Sequence, residues 1–145
     1  MREYIIYTDG GYSISNNVGS GAYVILKADG QTLVKQDSFV LRRETSQRAE
    51  LKAIIAAVHA LPDNSRARIF TDYQYAALSL GTRPRRKNKP DIDLLVHYRQ
   101  IVRYKKLTIE FQWIPSHGGH IWNEVCDNLC AEALYCASHR VFEES

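Results

Sequence analysis

Hydrophobic residues along this chain fall into short unbroken runs, alternating runs and helical stripes. Tyr4-Ile5-Ile6-Tyr7 is β-branched and aromatic without polar alternation, which predicts a strand buried on both faces. It leads into Thr8-Asp9-Gly10-Gly11, where a carboxylate ends the strand and two glycines allow a sharp turn and a close neighbour. Residues 12–20 read as a polar loop, 21–26 as a second strand and 31–40 as a third, joined by the hairpin signal Ala28-Asp29-Gly30. Alanine, leucine and isoleucine at helical spacing predict a helix over 47–61, capped by Thr45 or Ser46 and stopped by Pro62. A fourth strand over 67–71 ends in Thr71-Asp72, and a short helix over 73–80 stops at Gly81. A helix over 92–104 follows. Leu107, Ile109, Phe111 and Trp113 then alternate with polar residues, the period of a half-buried fifth strand. The last helix, over 123–137, has Val125, Leu129 and Ala133 on its inner stripe, and 138–145 reads as a frayed tail.

These elements describe a mixed α/β fold. At 145 residues and 45% hydrophobic the chain has the size of one domain, spanning 1–145, with a core of its own. The net charge of +3 is modest, but Arg83-Pro84-Arg85-Arg86-Lys87-Asn88-Lys89 concentrates much of the positive charge. That segment reads equally as a solvated loop or as a phosphate contact. Cys126, Cys130 and Cys136 are odd in number and badly spaced for a disulfide framework; they read as small core residues of a reducing, cytoplasmic compartment. The first apolar run is too short for a signal peptide, and nothing approaches a membrane span.

The candidate chemistry is carboxylate. Two strands each ending in Thr-Asp, if parallel neighbours, set Asp9 and Asp72 roughly 5 Å apart, the interstrand spacing. Anions that close repel unless a cation lies between them, which points to a metal site. Glu50 stands in the first turns of the long helix, beside Ala49, Ala53 and Ile54. By itself it is an ordinary surface glutamate; with Asp9 and Asp72 it becomes a third candidate carboxylate. Asp127 on the last helix is a fourth, and His117 lies in the glycine-rich loop before it. Carboxylates with substrate phosphate suit Mg²⁺, and a pair of such ions suits in-line phosphoryl displacement. A zinc reading of His117-x-x-His120 with Cys126 leaves the acids unexplained. Trp113 and Trp122 read as core and loop packing.

Taken together, Thr8-Asp9-Gly10-Gly11, Thr45-Ser46-Gln47-Arg48-Ala49-Glu50-Leu51, Thr71-Asp72-Tyr73-Gln74-Tyr75 and Trp113-Ile114-Pro115-Ser116-His117-Gly118-Gly119-His120, followed by Asn123-Glu124 and Cys126-Asp127, resemble the type 1 ribonuclease H family. The resemblance implies the ribonuclease H-like fold, a five-stranded mixed sheet of three antiparallel and then two parallel strands flanked by helices. It implies hydrolysis of the RNA strand of RNA–DNA hybrids with two Mg²⁺ ions, Mn²⁺ substituting, to leave a 5′-phosphate and a 3′-hydroxyl. By the same resemblance Asp9 bridges both ions, Asp127 completes the nucleophile-side ion, and Glu50 and Asp72 hold the leaving-group-side ion. His117 acts in proton transfer or product release, and Glu124 assists ion turnover. Ser46, Gln47, Gln74 and one of Asn16 or Asn17 touch the minor groove, while Arg43, Thr45 and Asn123 hold a DNA phosphate. No membrane and no obligate protein partner are implied.

The chain departs from the family's commonest pattern at Tyr73, where many relatives have serine, and at Ser46, in place of asparagine. Residues 81–91 are shorter than the usual tryptophan-bearing basic protrusion. The nuclease domain of a reverse transcriptase shares these residues and is the rival enzyme reading. A non-catalytic hybrid-binding module on the same fold is the rival outside enzymes, and the complete carboxylate set argues against it.

Overall fold

In the computed structural model, residues 2–76, 91–115 and 118–143 are described, with side chains as far as 137. The elements are β1 (Arg2–Ser13), β2 (Val18–Lys27), β3 (Leu33–Arg42), α1 (Ser46–Ala60), β4 (Ser65–Thr71), α2 (Ile92–Tyr104), β5 (Thr108–Trp113) and α3 (Ile121–Glu143). They form one five-stranded sheet in the order β3-β2-β1-β4-β5. β1–β2 and β2–β3 pair antiparallel, β1–β4 and β4–β5 parallel. The mixed sheet expected from the sequence is therefore present.

Alternation along the central strands divides the core in two. On one face Ile6, Tyr23, Ile25 and Ile69 pack against Leu51, Ile54 and Val58 of α1 and Leu94, Leu95 and Tyr98 of α2. On the other, Ala22, Val24 and Leu26, with Ile5 and Tyr7, meet α3. β1 is thus covered on both faces, as its unbroken apolar run requires. β3 is an exposed edge, and Lys35 and Asp37 along it discourage pairing with another sheet.

Three local expectations change. β1 does not turn at its glycines: it continues through Asp9-Gly10-Gly11 to Ser13, with Gly10 opposite Gly21 and Gly11 opposite Ser20 on β2. Partner strand β2 supplies the hydrogen bonds that hold this glycine pair extended. α3 starts at Ile121 and extends to Glu143, longer at both ends than the apolar stripe suggested. Its inner face is centred on Cys126 and Cys130, with Trp122, Val125 and Leu129 beside them, whereas Cys136 is exposed. Trp113 is 46% exposed, so it is not core; its Nε1 donates to the Asp72 carbonyl at 3.3 Å. Of the short helix expected over 73–80, residues beyond Ala76 lie outside the described residues, as does the 83–89 basic cluster. Among the described residues no helix is long and apolar enough to cross a membrane.

Candidate active site

The parallel pairing of β1 and β4 runs in register from Arg2↔Ser65 to Thr8↔Thr71. Asp9 and Asp72 follow that last pair, so the register alone brings them side by side at the carboxyl end of the sheet. This is where open α/β sheets place their sites. Thr8 and Thr71 beneath them are buried, and Thr71 Oγ1 accepts from Tyr73 N at 3.0 Å, turning the chain just after Asp72.

Glu50 comes from the other side of the sequence through an unusually close backbone approach. A Cβ on Gly10 would lie 2.7 Å from Glu50 N and 2.9 Å from the Ala49 carbonyl carbon. Glycine at that position is what lets α1 lie directly on β1. Thr45 caps α1, its Oγ1 accepting from Arg48 N at 3.2 Å, and so sets where the first turn begins. Arg48, on the same turn, reaches outward to Glu44, Asp91 and Asp93; its paired contacts to Asp93 are 2.9 and 2.7 Å.

α3 is anchored to β1 by sulfur. Cys126 Sγ donates to the Tyr7 carbonyl at 3.3 Å and Cys130 Sγ to the Asp9 carbonyl at 3.4 Å, while Ser20 Oγ donates to the Cys130 carbonyl at 3.0 Å. Burial pushes both thiols up, Cys130 to about 12, so they stay protonated donors. Asp127, between these anchors, is held against the cluster while remaining exposed to solvent.

Carboxylate oxygens of Asp9, Glu50 and Asp72 lie within 4.8 Å of one another. They line a cavity of about 340 Å³ with Gly10, Tyr73, Asn123, Glu124 and Asp127. None of these lining residues carries a positive charge. Burial first, then Asp72, pushes the Asp9 carboxyl up to about 8, against a hydrogen bond from Gly10 N at 2.9 Å; Asp127 raises it further. Glu50 is also raised well above the ordinary range, by burial first and then by Asp9 and Asp72. Its Oε2 is buried without a hydrogen-bond partner among the described residues. The carboxyl donors are all oxygen, with one ligand atom orphaned among the described residues and protons held more tightly than usual on Asp9 and Glu50. Such a set could hold a hard divalent cation, which would displace those protons.

The other sequence-predicted residues are distributed around this cavity. Glu124 joins it. Asn16, Asn17 and Arg43 share a separate depression of about 360 Å³ with Arg42. There Arg43 N donates to the Asn17 carbonyl at 3.1 Å, and both residues adopt left-handed backbone, with φ 58° and 51°. Tyr12 Oη donates to Asn17 Oδ1 at 2.7 Å. Thr45 is the cap of α1, and Ser46, Gln47 and Gln74 are exposed. Asn123, 4% exposed, lines the carboxylate cavity, whereas Arg43 lines the other depression. His117 lies outside the described residues. Sequence reasoning did not single out Gly10 as the contact point of α1 or the two cysteines as anchors of α3. The glycine pair beside Asp9 and the i, i+4 spacing of the cysteines were the available signals.

Comparison with known proteins agrees with this geometry. The family model described as RNase H matches residues 1–135. The chain is 31% identical over 144 residues to the Ribonuclease H of Campylobacter curvus, covering 91% of this chain and 93% of that protein. It is 33% identical over 141 residues to the Ribonuclease HI of Campylobacter jejuni, covering 92% of each. Among solved structures, the N-terminal RNase H domain of a Mycobacterium tuberculosis protein superposes with a TM-score of 0.81 at 21% identity, over 97% of this chain and 99% of that one, a likeness of fold. By its matched length and by these relatives, the chain belongs to the ribonuclease H family.

Proposed function

We propose that this protein is an endonuclease that hydrolyses the RNA strand of RNA–DNA hybrids, leaving a 5′-phosphate and a 3′-hydroxyl. The observation that carries the reading is the convergence of Asp9, Glu50 and Asp72 within 4.8 Å, in one cavity with Asp127, in a chain of this family. A module that only bound hybrid would gain nothing from gathering anions where a phosphate must approach.

Asp9, Glu50, Asp72 and Asp127 would hold a pair of divalent cations, Mg²⁺ with Mn²⁺ as substitute. When bound, these supply a water of lowered pKa and neutralise charge on the phosphate. Asp9, acted on by both Asp72 and Asp127, would serve both ions. Asp127, on the solvent-facing side, serves the side of the attacking water, and Glu50 with Asp72 the side of the leaving 3′-oxygen. His117 passes a proton or assists product release, and Glu124 at the rim assists exchange of the ions. Ser46, Gln47, Gln74 and Asn16 or Asn17 address the minor groove, where the 2′-hydroxyl marks RNA. Arg43 and Thr45 hold a phosphate of the DNA strand, a contact that positions the duplex without reading sequence. The protein acts as a single intracellular, cytoplasmic domain, with hybrid as its partner.

The test is cleavage of end-labelled hybrid, double-stranded RNA and double-stranded DNA, each with Mg²⁺ and with EDTA. Cutting of the RNA strand in hybrid alone, and only with Mg²⁺, is expected. Metal-independent cutting, or none, overturns the reading.

A further inference from the structure

Asn123 does not behave as a residue waiting for a phosphate. The residue is 4% exposed, and its Oδ1 is buried with no hydrogen-bond partner among the described residues. It stands in the first turn of α3, one helical turn before Asp127, and shares the cavity of Asp9, Glu50 and Asp72. Once ionised, those carboxylates are acceptors only and cannot satisfy it. A phosphodiester carries no proton to donate, so it cannot satisfy this oxygen either. Water is the donor of the right size, and buried polar atoms lacking a protein partner are its usual seats.

We propose that Asn123 is a positioning residue whose Oδ1 accepts a hydrogen bond from a water molecule held in the carboxylate cavity, on the Asp127 side where the attacking water belongs. The water's role as nucleophile rests on the hydrolytic reading above; its presence does not. A neutral amide suits the task. It fixes the direction of one O–H without adding another negative charge and without taking the proton. Placement of this kind acts on the reaction step more than on duplex binding.

The experiment compares wild type with Asn123→Leu, similar in shape and apolar, and Asn123→Ser, which keeps a small acceptor. Hybrid cleavage kinetics, thermal unfolding in EDTA and high-resolution crystals grown with Mg²⁺ are the readouts. For Asn123→Leu, kcat is expected to fall on the order of 10- to 100-fold with KM changed less than about twofold. Its unfolding temperature should be unchanged or higher, because an unpaired buried amide is gone. Asn123→Ser should regain part of kcat, and the wild-type crystal should show an ordered water on Oδ1 that is missing from the leucine variant. An unchanged kcat overturns the proposal. So does a rise in KM alone with a shallower salt dependence, which would make Asn123 a phosphate contact. Activity lost in step with lowered unfolding temperature in both variants would make it structural, and a wild-type crystal with no water on Oδ1 overturns the proposal outright. If wild type fails to cut hybrid yet holds the water, the hydrolytic reading falls and the held water stands.

Discussion

Replacing Asp9 with asparagine should stabilise the metal-free protein while abolishing hybrid cleavage. Asp9 is 5% exposed, and its carboxyl is pushed from 3.8 to about 8, chiefly by burial and then by Asp72. The folded chain therefore holds this proton more tightly than the unfolded chain. Asp9's contribution to stability is complete below about pH 4 and is lost as the pH rises toward about 8. The interval from 3.8 to about 8 corresponds to at most about 5–6 kcal/mol, at about 1.4 kcal/mol per pH unit. Glu50, raised by the same crowding, shares that cost, so removing the Asp9 charge alone is assigned about 2 kcal/mol. Asparagine keeps an oxygen for the Gly10 N–H, which now sits 2.9 Å from Asp9 Oδ1. For a chain of this size the gain is about 4–8 °C in Tm. Calorimetry in EDTA should show Asp9→Asn melting above wild type at pH 8.5, with the gap shrinking at pH 5, where Asp9 already carries its proton. Mg²⁺ should raise the Tm of wild type alone, because only the intact site binds it. An Asp9→Asn protein that melts below wild type at pH 8.5 in EDTA, or that Mg²⁺ stabilises equally, would refute the electrostatic account of this site.

Because Asp9 and Glu50 are both raised, metal binding at pH 7 should expel protons; calorimetric titration with Mn²⁺ in buffers of different ionisation enthalpy should give different apparent heats, and equal heats would count against protonated ligands. Gly10→Ala places a methyl 2.7 Å from the Glu50 backbone nitrogen, so α1 must shift off β1, with an expected loss of about 1–3 kcal/mol in urea unfolding and of metal affinity together. Arg48→Ala removes the guanidinium that joins Glu44, Asp91 and Asp93; unfolding at low salt should show a loss of about 1 kcal/mol that shrinks in high salt, and a salt-independent loss would mean packing, not charge, is what Arg48 contributes.

Whereas the antiparallel-then-parallel sheet came only with the family resemblance, the element order and the Thr-Asp strand ends were legible in the chain itself, because they follow from apolar period and from residues that begin or end an element. So was the list of acids, since charges placed at strand ends and in the first turns of a helix are few. What lay beyond the sequence depended on which partner each residue meets. Asp9-Gly10-Gly11 reads as a turn until β2 pairs with it, and then it is strand. Trp113 reads as core by alternation, yet it stands 46% exposed over Asp72. Asn123, grouped with Arg43 and Thr45 by motif, belongs by position to the acids. Period and propensity are properties of neighbours along the chain and survive without a fold. The 2.7 Å approach of α1 at Gly10, the thiol anchors of α3 and the proton held on Asp9 near pH 8 exist only where distant segments exclude water between them, which no local pattern encodes.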